Sequence, residues 1–187
     1  MTRAAPADKQ GKGDSEGMTT KDFTIKWLAY ALALLPLWFL EDFFLSRYPL
    51  FGVTPMLLPL CAVAVATLEG SAGGAGFGLG VGLLFDAMVP GVPGAMILVT
   101  VLLGLGAGLL CQYVLRQDLV GCFLCSALAL LSIDALRIGV RLLSGAVPLG
   151  AMLTVAGKEI LWSLCFVPLV YLVFRWVFLR VPKASVL

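Results

Sequence analysis

From Trp27 to Leu179 the chain is a succession of apolar runs, most of them close to the ~20 residues an α-helix needs to cross a hydrocarbon core, separated by short breaks rich in Pro, Gly or charge. Lipid offers no water to unpaired backbone N–H and C=O groups, so such runs favour membrane-spanning helices over any open-chain alternative. Composition agrees: 60% of the 187 residues are apolar, mean hydropathy is +1.02, and 13% are charged, against the ~25% usual in soluble domains. The expected fold is an all-α polytopic membrane bundle of about six helices over residues 23–180, which leaves no room for a second domain.

Residues 1–22 hold four basic and four acidic side chains with several Gly and no apolar run, and read as a disordered cytoplasmic tail, with 181–187 as a second short one. The apolar run that follows is long enough to span and lacks a small-residue cleavage pattern, so the tail is expected to stay attached. Met18 offers an alternative start.

The expected spans are Thr24–Leu45; Thr54 or Tyr48 to Glu69, with Pro55 as a first helical residue; Gly70–Met88; Gly94–Leu115; Leu119–Leu143; and a sixth within Leu149–Leu179. With the amino end inside, one side receives nine basic residues (Arg3, Lys9, Lys12, Lys21, Lys26, Arg116, Arg175, Arg180, Lys183) and the other four (Arg47, Arg137, Arg141, Lys158). The positive-inside rule then places both termini in the cytoplasm.

Histidine is absent, which excludes His-based catalysis and His-ligated metal. No nucleophile has a base beside it, and neither a phosphate-binding loop nor a zinc-ligand set occurs, so no catalytic residue, metal or cofactor is expected. A net charge of +2 without a basic block argues against nucleic acid, leaving membrane lipid and other proteins as partners. Cys61, Cys111, Cys122, Cys125 and Cys165 lie in apolar runs and read as small hydrophobes; Cys122 and Cys125 form a C-x-x-C with no second pair.

Two features carry the functional reading. Gly70, Gly74, Gly78, Gly82 and Asp86 recur at intervals of four, a smooth helical row ending in a carboxylate. Each Gly costs ~1 kcal/mol relative to Ala in a helix, so the row implies a helix packed closely against it, either the Gly104, Gly106 and Gly108 helix of the same bundle or a partner's. The second feature is a set of ionisable residues at membrane depth, Glu69, Asp134, Arg137, Arg141 and Glu159, spaced to form structural ion pairs or a docking or ligand site.

The run Gly82-Leu83-Leu84-Phe85-Asp86, the Pro/Gly loop up to Gly94, the Gly52-Val53-Thr54-Pro55 segment, Glu69-Gly70 and Glu159 resemble the MreD family of bacterial rod-shape-determining membrane proteins, over nearly the whole apolar part. The resemblance implies a non-enzymatic subunit of the cell-elongation complex in the bacterial plasma membrane, working with an MreC-like bitopic protein and peptidoglycan synthases. On that reading Gly70, Gly74, Gly78 and Gly82 form the partner's docking face and Asp86 fixes its polar end. The alternative is the substrate-binding S component of an energy-coupling-factor vitamin transporter, whose Ala-x-x-x-Ala signature Ala29 and Ala33 fit, although the short loops offer little to a vitamin pocket.

Overall fold

The computed structural model describes residues 20–45, 47, 52–88, 94–115, 118–143 and 149–180. It is all-helical among these residues: α1 (Thr20–Phe39) runs on into a π-helical turn (Leu40–Leu45), followed by α2 (Leu57–Met88), α3 (Ala95–Tyr113), α4 (Leu119–Leu143) and α5 (Leu149–Arg180). Among the described residues, five helices are long and apolar enough to cross a membrane.

The α2 helix is not straight. Gly70 has φ 84° and ψ −171°, outside helical geometry and in a region that side chains with a Cβ rarely enter. A Cβ added at Gly74 would strike Cα and Cβ of Ala66, residues that a continuous helix would hold ~12 Å apart along its axis. The two halves of α2 therefore double back on each other around Gly70. Gly70 is a turn residue as well as the first member of the row, since its backbone lies against Gly108 and Gln112 of α3.

The first half of α2, Leu57 to Leu68, is buried at every position. Its sequence is apolar all round, which suits a helix enclosed by others and not one facing lipid on one side. Accordingly α2 touches each of the other four helices. A buried helix start leaves N–H groups that must find acceptors. The Met56 N–H donates to Ser163 Oγ of α5 at 3.0 Å, and the Leu58 N–H to Glu41 Oε2 at 3.0 Å. Glu41 arrives from the π-turn, which begins four residues beyond Pro36. Its carboxylate also sits where the helix dipole favours negative charge.

Tyr30, Phe77 and Phe174 bring three helices together, with ring centroids 5.6 to 6.2 Å apart. Trp27 covers Phe77 at 6.5 Å.

Element boundaries differ from expectation by more than one residue in α1, α2 and α3. Helix α2 begins at Leu57, so Pro55 precedes the helix and Pro59 occupies its first turn, where a missing N–H is tolerated. Helix α1 starts at Thr20, inside the segment read as tail, while residues 1–19 and 181–187 lie outside the described residues, as does Tyr48. Helix α3 stops at Tyr113, two residues short of Leu115.

Candidate functional site

The glycine row is closed by the chain itself. A Cβ at Gly78 would lie 2.5 Å from the Thr100 carbonyl oxygen and 3.3 Å from Val101 Cα. At Gly82 it would strike Ile97 Cα and the Thr100 hydroxyl, at Gly74 the Gly104 carbonyl, and from the other side Gly108 meets the Ser71 backbone. Helix α3 thus runs antiparallel to the second half of α2 at backbone contact, the close approach that small residues permit. This corrects the docking assignment for Gly74, Gly78 and Gly82: the face is filled, and no partner helix can enter it without displacing α3. By contrast Gly76, Gly80 and Gly106 have open or ordinary surroundings.

Asp86 has an internal task as well. Its Oδ2 accepts the Gly94 N–H at 2.8 Å, tying the end of α2 to the start of α3. Asp86→Ala is expected to lower stability by about 1 kcal/mol, with Asp86→Asn recovering most of it, as read from thermal unfolding in detergent.

The ionisable residues separate into two groups at opposite ends of the bundle. Glu69 stands alone among the expected set. It forms an ion pair with Lys26 of α1 and accepts the Tyr30 hydroxyl at 2.6 Å. Both charged side chains are almost fully buried, 8% exposed for Lys26 and 12% for Glu69. Its charge places Lys26 among the basic residues of the cytoplasmic side; the structure turns it inward. No local spacing links residues 43 apart, so this pairing carried no sequence signal.

At the other end Asp134, Arg137, Arg141 and Glu159 do come together. Arg137 Nη1 lies 3.3 Å from Glu159 Oε1, joining α4 to α5. Beside that pair is a cleft of about 220 Å³ between α4 and α5, lined also by Ile138, Ala151, Met152, Val155 and Ala156. On the pair's other side is a cavity of about 450 Å³ bounded by Trp38, Glu41, Asp42, residues 52–56, Leu58 and Phe85. Short loops had argued against any such pocket; it is built from helix ends and the irregular 53–56 segment instead.

A third recess is wholly different in character. Between α1 and α5 runs an apolar groove of about 350 Å³, lined by Ala29, Leu32, Ala33, Pro36, Val173, Trp176, Val177 and Arg180. The Arg180 guanidinium lies 4.0 Å above the Trp176 ring, closing one end with a cation–π contact.

Four of the five cysteines are buried and Cys165 is exposed. Cys125 faces Cys111 of α3 at 3.6 Å rather than its C-x-x-C neighbour Cys122. Among the described residues, no group of three or more His, Cys, Asp or Glu could hold a metal ion. The chain matches no family model, no curated protein and no solved structure.

Proposed function

We propose that the chain is a non-enzymatic, six-crossing subunit of the bacterial cell-elongation complex in the plasma membrane, with both termini in the cytoplasm. Its part is to hold an MreC-like bitopic protein beside the peptidoglycan synthases. The doubling back at Gly70 supports six crossings: with each half of α2 counted as one pass, an even number returns both ends to the side that carries most of the basic residues. The Lys26–Glu69 pair lies toward that side, and Glu41, Asp86 and the Arg137–Glu159 pair toward the other.

The observation that carries the reading is the apolar groove between α1 and α5. With the glycine row occupied by α3, this groove is a lipid-facing recess in which small side chains, Ala29 and Ala33 one helical turn apart, leave room for another helix. Association of helices in lipid depends on such close packing because apolar contact alone gives no advantage over lipid tails.

A transport reading draws on the same groove. Ala29 and Ala33, the residues that fit the coupling signature of an S component, line it, and the cavity of about 450 Å³ at the Glu41 end falls within the ~300–1,000 Å³ of small-molecule sites. Affinity purification of the tagged chain in mild detergent, followed by mass spectrometry, separates the two. Recovery of an MreC-like bitopic protein with wall synthases is the expected result; a pair of ATPases, a coupling subunit or a stoichiometric vitamin would overturn it for transport. Filling the groove with Ala29→Leu and Ala33→Leu together is expected to cut recovery of the bitopic partner about tenfold, equivalent to ~1.4 kcal/mol, while the chain still inserts.

A further inference from the structure

The cleft between α4 and α5 has a charge pattern that neither scaffolding nor vitamin transport uses. Its four charged residues cancel, Asp134 and Glu159 against Arg137 and Arg141. Arg137 and Glu159 are already joined at 3.3 Å. That leaves one carboxylate and one guanidinium facing the opening. Asp134 is 7% exposed, lines the cleft, and makes no hydrogen bond or ion pair among the described residues. Arg137, three residues on, attracts it electrostatically without contact; a buried carboxylate at membrane depth that no donor touches is costly and is a place where a cation can be received. Arg141, seven residues further along α4, is exposed and likewise makes no ion pair among the described residues.

A simple cation entering here meets two guanidinium groups, and a simple anion meets two carboxylates. A compact zwitterion satisfies both ends. Asp134 and Arg141 lie about 10 Å apart along the helix axis, a separation that a short zwitterion, its ammonium and phosphate joined by two carbons, can bridge with the reach of an arginine side chain. The wall between them is apolar, formed by Ala151, Met152 and Val155, and the cleft opens on the helix perimeter near the ends of α4 and α5, where lipid head groups lie.

We propose that this cleft binds an ammonium–phosphate zwitterion, the head group of an aminophospholipid, with the ammonium on Asp134 and the phosphate on Arg141. The site is independent of the α1–α5 groove and of what occupies it.

The test is native mass spectrometry of the delipidated full chain titrated in parallel with phosphatidylethanolamine, phosphatidylglycerol and phosphatidylcholine of equal chain length. Phosphatidylethanolamine is expected to be retained about tenfold over phosphatidylglycerol, the size of one charge-assisted hydrogen bond, and over phosphatidylcholine, whose quaternary nitrogen cannot donate. Asp134→Asn, close to isosteric, is expected to abolish the preference over phosphatidylglycerol, and Arg141→Gln, at an exposed position, to weaken retention of both. Equal retention of the three lipids by the unmodified chain would overturn the proposal, as would an unchanged preference in either folded variant. Addition of soluble phosphoethanolamine distinguishes the source: persistence of the bound lipid assigns the site to the membrane, and its displacement assigns it to the free zwitterion.

Discussion

Replacing Gly78 by leucine is expected to drive α3 off the second half of α2 and to destabilise the bundle by about 3 kcal/mol, at the upper end of ordinary overpacking costs. The reason is what the new side chain would meet. Its Cβ alone would lie 2.5 Å from the Thr100 carbonyl oxygen and 3.1 Å from the carbonyl carbon, both backbone atoms that can withdraw only if the helix moves. Gly80, two residues on, supplies the control. Nothing lies within 4 Å of a Cβ there, so Gly80→Leu should leave stability within about 0.5 kcal/mol of the parent. Thermal unfolding of both variants in detergent, read by fluorescence-detected size exclusion, makes the comparison. If Gly78→Leu unfolds with the parent and instead loses a protein partner, the row is a docking face and the α2–α3 contact is not what holds it.

The second large effect is expected at the buried ion pair. Lys26→Met leaves the Glu69 carboxylate almost fully enclosed, with the Tyr30 hydroxyl as its remaining hydrogen-bond donor among the described residues. Stranding one charge of a buried pair typically costs about 3–5 kcal/mol, whereas replacing both partners by apolar groups is often neutral. Lys26→Met and Glu69→Gln should therefore each lower the unfolding temperature sharply, and Lys26→Met combined with Glu69→Met should recover most of the loss. A full double-mutant cycle measures the coupling directly. Equal losses that simply add would mean that the two side chains do not hold α1 to α2.

Most of the helix positions were legible in the sequence because hydropathy alone fixes them. Leu119–Leu143 coincides with α4, and the sixth segment with α5 apart from its last residue. The break between Glu69 and Gly70 was legible too, from a carboxylate followed by glycine inside apolar surroundings, although the structure makes it a single-residue turn. Where reading failed, the missing information was long-range. The interval of four at Gly74, Gly78 and Gly82 reports that something packs closely on that face, but not whether it belongs to the same chain. The inward turn of Lys26 depends on Glu69 arriving from another helix, and the cap that Glu41 gives to Leu58 depends on a π-turn that no residue pattern announces. Asp134, Arg137, Arg141 and Glu159 line one cleft, a proximity legible in part because three share one face of α4 by spacing and the fourth lies on the next helix. Glu69 was grouped with them by depth in the sequence alone and belongs to the opposite end.

In the proposed function, the α1–α5 groove is the seat of a partner's transmembrane helix. The most direct measurement places a photo-crosslinking residue at Leu32, which lines that groove, and at Leu131, exposed on α4, in the full chain in bacterial cells. The expected result is a crosslink from Leu32 to an MreC-like bitopic protein, absent from Leu131. Crosslinks to lipid alone at both positions, or to a transporter coupling subunit at Leu32, would contradict it.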